Sequence, residues 1–131
     1  MDRVVAQGQI LDAVYSYAHA LDSLDRDKML ATFLPDQPMT FDLSSSGYLK
    51  DLPKEMTPSA VFDALYSVLA GCTTTQHLLG APIVTFADHA LDKASVRVQV
   101  AAYYCIDMHP EAEEATVRGC WEIDMALHAG R

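Results

Sequence analysis

The spacing of apolar positions changes once along this chain, near Cys72, and divides it into a helical half and a stranded half. Between Val4 and Leu24, the residues Ile10, Val14, Tyr17 and Leu21 recur at three- and four-residue steps with Leu11 and Ala18 beside them. That spacing predicts an amphipathic helix. Asp25 is placed to cap a second, short helix over Arg26 to Leu34, which must stop before Pro35 because the residue preceding a proline is pushed out of the helical region. Pro38 to Leu43 reads as a short strand, Ser44-Ser45-Ser46-Gly47 as a turn, and a polar connection follows. Thr57 or Ser59 then caps a third helix to about Ala70, with Val61, Leu65 and Leu69 on one stripe and Gly71 at its end.

Beyond Cys72 the period becomes two, which predicts three long strands. The first covers about Thr74 to Phe86 and turns at Ala87-Asp88-His89. The second covers about Lys93 to Met108, with Val96, Val98, Val100, Ala102, Tyr104 and Ile106 facing one way and Arg97, Gln99, Ala101, Tyr103 and Cys105 the other. The third covers about Thr116 to His128, with Val117, Trp121, Ile123, Met125 and Leu127 opposite Arg118, Glu122 and Asp124. An antiparallel meander with one apolar face must have that face covered. The helices are available to do it, so the expected class is α+β, one domain over 1–131 with helices on one side of a bent sheet.

Composition narrows the partners. Half of the residues are hydrophobic and 21% charged, with a net charge of −9 and a pI near 4.7. That balance excludes a sequence-independent grip on nucleic acid or an anionic membrane, both of which need clustered Lys and Arg. No segment has the roughly 18 consecutive apolar residues of a membrane span, and the N-terminus lacks a basic stretch followed by a long apolar run, so a cytoplasmic protein is expected. Cys72, Cys105 and Cys120 have no C-x-x-C spacing, and any disulfide scheme leaves one over. They read as small hydrophobes in a reducing compartment.

Two short signals carry the chemistry. Asp22 stands at the margin of the first apolar stripe, and His77 opens an apolar strand after Thr75-Gln76. Singly they read as a helix-end polar residue and a core histidine. Brought together they make an acid–base dyad, in which a carboxylate on one ring nitrogen fixes the tautomer and frees the other nitrogen to take a proton. His19, His89, His109 and His128 form no H-x-H or H-x-x-x-H pair, and Asp22-x-x-Asp25-x-Asp27 lacks the glycine and distal glutamate of a calcium loop, so no metal site is expected. There is no G-x-S-x-G, P-loop or G-x-G-x-x-G, and no cofactor is expected.

The residues Tyr17-x-x-x-Leu21-Asp22-x-x-Asp25, Phe33-x-x-Asp36, Phe41-Asp42-Leu43, Thr75-Gln76-His77-Leu78-x-Gly80 and Arg118-Gly119-x-Trp121 resemble the SnoaL-like, scytalone-dehydratase-like branch of the nuclear-transport-factor-2 superfamily. The resemblance spans nearly the whole chain, and its specific signals are Asp22 and Thr-Gln-His. It implies a cone-shaped α+β barrel, a curved antiparallel sheet packed on three N-terminal helices around an apolar pocket. It also implies that Asp22 and His77 form a dyad in that pocket, as the matching residues do in dehydratase and dehydrochlorinase relatives. Tyr17 is the expected third catalytic residue, and Tyr104, Trp121, Phe41, Tyr66 and Val100 the expected pocket lining.

Some positions depart from the dehydratase pattern. Leu21 and Leu43 stand where scytalone dehydratase has tyrosines, and its second histidine would fall around Val100 to Ala102, where this chain has none. Relatives also continue past Gly119-x-Trp121 into one more strand, so either that strand is missing or another subunit supplies an edge partner. Asp42 lies near the strand position where ketosteroid isomerases of the superfamily carry a proton-shuttling aspartate. The expected function is a cofactor-free dehydratase or isomerase using Asp22 and His77 on a small apolar carbonyl compound. The alternative is a small-molecule-binding or dimerisation module, or an oxygenase companion subunit. A homodimer or higher homo-oligomer is expected through the outer sheet face, where Arg97, Gln99, Tyr103, Cys105, Arg118 and Glu122 make a mixed polar and aromatic surface.

Overall fold

The computed structural model describes residues 2–35, 37–42, 52–108 and 111–128. The first apolar stripe becomes α1 (Arg3–Ser23), started by Asp2, whose side chain accepts from the Val4 N–H at 2.7 Å. Its end is abrupt. Leu24 takes the left-handed conformation (φ 51°, ψ 37°), its N–H reaching back to Leu21 and that of Asp25 to Ala20. This is a Schellman closure, in which glycine is the usual residue. A leucine costs about 1–2 kcal/mol there, offset by the packing of its side chain on the core. Asp25 then caps α2 (Arg26–Leu30) by accepting from the Lys28 N–H at 3.0 Å.

The second helix is shorter than its predicted span to Leu34. It gives way to a tighter turn, in which Thr32 and Phe33 bond back only three residues, to Met29 and Leu30. Met29 itself is fully buried in the cluster that joins α1 to the third helix, α3 (Pro58–Leu69). Met29→Ala is expected to cost about 2–5 kcal/mol, the range for deleting a large side chain from a packed core. A urea midpoint unchanged from wild type would contradict that placement. Thr57 caps α3, and Arg26 ties it to α2 by pairing with Asp63 at 2.8 Å, bonding Ser59 and lying over the Phe62 ring.

The strands differ from the sequence expectation in three places. The predicted strand over 38–43 contracts to β1 (Met39–Thr40), paired with β2 (Glu55–Met56) from the stretch read as a polar connection; Leu43 and the Ser44–Gly47 turn lie outside the described residues. The stretch 74–86 is two strands, β3 (Thr74–Leu79) and β4 (Ile83–Phe86), interrupted at Gly80-Ala81-Pro82, where proline has no N–H to give to a ladder. The last strand starts earlier than Thr116 and ends before Leu127. It is β6 (Glu111–Ala126), matched rung for rung to β5 (Lys93–Met108).

β5 is the spine of this curved antiparallel sheet. β6 runs along one side of it, while β4 and β3 share the other, opposite 94–97 and 100–105. Its alternate residues Ala94, Val96, Val98, Val100 and Ala102 are buried under the helices. Arg97, Gln99, Tyr103, Cys105, Arg118 and Glu122 share the opposite, outer face. There Ser95 donates to Asp124 at 2.8 Å, and the Tyr103 phenol, hydrogen-bonded to Glu114, is pushed up to about 12. No helix among the described residues is long and apolar enough to cross a membrane.

Candidate active site

α1 lies against β3, and the last turn of the helix delivers Asp22 to the strand. Thr75 and His77 are two residues apart on β3 and so share a face. The Asp22 carboxylate joins both. Its Oδ1 accepts the Thr75 hydroxyl at 3.2 Å and stands 2.6 Å from His77 Nδ1, while Oδ2 accepts the His77 backbone N–H at 2.9 Å. A carboxylate only accepts, so Nδ1 carries a proton, and when the ring holds that proton alone Nε2 is an acceptor. Among the described residues Nε2 has no hydrogen-bond partner. The His77 side chain is 6% exposed and that of Asp22 23%, so the contact works largely without competing water.

An aromatic enclosure surrounds the ring. Tyr104 meets His77 edge-on at 6.0 Å and Trp121 lies tilted at 5.9 Å. Tyr17 meets the same Trp121 at 5.3 Å, with Phe33 beyond it at 5.7 Å. The register explains the grouping: Thr75 pairs with Tyr104, His77 with Ala102, and Val98 with Trp121, all on the inner face. Burial, reinforced by the neighbouring Tyr104 phenol, raises the Tyr17 hydroxyl far above the ordinary phenol range. It therefore stays protonated at neutral pH. A small cleft of about 170 Å³ also reaches His77 from the flank, between Tyr15, Ala18 and His19 of α1 and Leu78 and Leu79 of β3.

Of the residues expected in the site, Asp22, His77, Tyr17, Tyr104 and Trp121 come together. Phe41 packs half-buried on the same core cluster, and Val100 lies on the inner face in a second cluster with Val14, Val96 and Val98. Tyr66 is not brought to the dyad: it is 48% exposed on α3, stacked on Phe62. Asp42 is exposed just beyond β1. Two participants were not anticipated, Thr75 and Phe33. For Thr75 the signal was present in the Thr-x-His spacing; for Phe33 only the turn after α2, seen in three dimensions, supplies it. Among the described residues no three His, Cys, Asp or Glu side chains converge where a metal ion could sit.

A family model described as a SnoaL-like domain matches residues 2–130. The chain belongs to that family. No curated protein matches this SnoaL-like domain in sequence. In three dimensions it is similar to the Kfla4162 protein from Kribbella flavida, with a TM-score of 0.82 at 20% identity, over 98% of this chain and 85% of that one. A type 2 hexachlorocyclohexane dehydrochlorinase (LinA) superposes with a TM-score of 0.74 at 14% identity, over 98% of this chain and 79% of the other. LinA-type3 from Novosphingobium barchaimii LL02 gives 0.74 at 12% identity, over 98% and 81%. At such identities the likeness establishes the shared fold: N-terminal helices packed on a curved antiparallel sheet.

Proposed function

We propose that this SnoaL-like domain is a cofactor-free lyase or isomerase that removes a proton next to the carbonyl of a small, largely apolar metabolite of polyketide or aromatic type. The observation that carries the reading is the 2.6 Å contact between Asp22 and His77 Nδ1, which leaves Nε2 as a proton acceptor inside an aromatic enclosure. A carboxylate that fixes the tautomer of a buried histidine is the arrangement general-base chemistry uses. Two structural neighbours are named dehydrochlorinases, a reaction that removes a proton along with chloride, which supports base chemistry on this fold.

In the proposed mechanism Nε2 takes the α-proton, and the imidazolium that forms is stabilised by the carboxylate already bonded to Nδ1. Negative charge collects on the substrate oxygen as the enolate forms. Tyr17, held protonated by burial and packed on the same Trp121 ring as His77, is the donor assigned to it in this reading. A leaving group on the β-carbon then departs, with the imidazolium returning its proton to it, or the proton returns to a different carbon. The first course is an elimination and the second an isomerisation.

The test is proton–deuterium exchange followed by NMR in D₂O, on a panel of enolisable ketones and β-hydroxy ketones. The wild-type protein is expected to accelerate exchange at the α-carbon of at least one panel member. Folded protein that accelerates none would sink the reading and favour a binding module.

A further inference from the structure

Glycine in the middle of a strand weakens it, and the usual reasons for one are a left-handed backbone, a bulge or bend, or the close approach of a ligand or another backbone. Gly119, in the middle of β6, has no left-handed backbone, no bulge in its register and no close protein neighbour. Its φ is not in the left-handed range, and a Cβ built on it meets no described atom within 4 Å. Gly80 provides the contrast, since a Cβ there would lie 3.5 Å from Gln99. The position of Gly119 supplies the missing reason. It pairs with Val100 and stands two residues before Trp121, so the absent side chain would project from the inner face. The next rung joins His77, Ala102 and Val117 across three strands. Farther along β5 the same face is filled by Val96 and Val98, each 1% exposed. Open space on this face thus borders the row that carries the proton acceptor.

We propose that Gly119 is a specificity-determining residue: its missing side chain leaves a shelf beside Trp121 and His77 that admits the broad part of a flat, fused-ring ketone. A single-ring ketone does not need the shelf. This rests on the reading that the His77 site takes a small apolar carbonyl compound, and it names the width of that compound.

The chain has one tryptophan, Trp121, so 5-fluorotryptophan labelling gives a single ¹⁹F signal inside the site. Cyclohexanone and the fused bicyclic 2-tetralone are titrated into the wild type, Gly119→Ala and Gly119→Leu, with thermal melting of each variant. The wild type is expected to bind both ketones. In Gly119→Leu, 2-tetralone binding is expected to weaken about tenfold or more, as overfilling a packed site does, with cyclohexanone binding kept within about twofold. Gly119→Ala is expected to fall between them and to melt no lower than the wild type, because nothing in the fold requires glycine there. Equal loss of both ketones, loss of neither, failure of the wild type to bind, or a lowered melting temperature in Gly119→Ala would each overturn the proposal. Proton exchange by the wild type separates it from the reading beneath. A wild type that binds both ketones and loses 2-tetralone alone on Gly119→Leu, yet exchanges no proton with either, would sink the catalytic reading and leave the shelf standing.

Discussion

His77→Ala is expected to lower α-proton exchange by about 10²–10⁴-fold, the usual worth of a positioned general base. Nδ1 is committed to Asp22 at 2.6 Å, so in the proposed mechanism the other nitrogen is the proton acceptor within the aromatic enclosure. Deleting the ring removes that acceptor and leaves a space of imidazole shape next to an intact carboxylate. Added imidazole is therefore expected to restore part of the rate in His77→Ala and to do nothing for the wild type. An alanine variant that exchanges protons as fast as the wild type would remove His77 from the role of base.

Asp22→Ala is expected to cost about 2–3 kcal/mol of stability as well as most of the activity, because a buried donor left without an acceptor costs about 1–3 kcal/mol. Three donors lose their acceptor at once: the Thr75 hydroxyl, the His77 ring N–H and the His77 backbone N–H. The sum stays below three separate penalties because Asp22 is 23% exposed and water can reach part of the gap. Against a typical domain stability of about 5–15 kcal/mol, that loss is large. His77→Ala removes one of those donors along with its ring and is expected to unfold at higher urea than Asp22→Ala. Equal urea midpoints for Asp22→Ala and the wild type would show that the carboxylate holds nothing in place.

Parts of this arrangement were legible in the sequence because they rest on local spacing. The stripe Ile10, Val14, Tyr17, Leu21 fixes the face of α1, and the alternation Val96, Val98, Val100, Ala102 fixes the face of β5. Asp22 and His77 were legible as a pair through the family pattern. What was missed depends on contacts made at a distance. The break at Gly80-Ala81-Pro82 sits inside an apolar run that alternates well enough to read as one strand. The start of β6 at Glu111 is a polar, acid-rich stretch whose only reason to be extended is its register with β5. Tyr66 lies beside the apolar stripe of α3 and stacks on Phe62, yet it is 48% exposed, which periodicity alone does not reveal. The bond from the His77 backbone to Asp22 spans 55 residues and has no signature in either segment.

That backbone bond has a consequence apart from chemistry. Among the described residues β3 pairs with β5 on one side and with no strand on the other, and an unpaired strand edge is a template for another chain. The carboxylate of Asp22 occupies the His77 N–H, and α1 lies against the strand, so a foreign strand finds that stretch already engaged. On the proposed reading, the residue that orients the base also closes this stretch of edge to pairing with another strand.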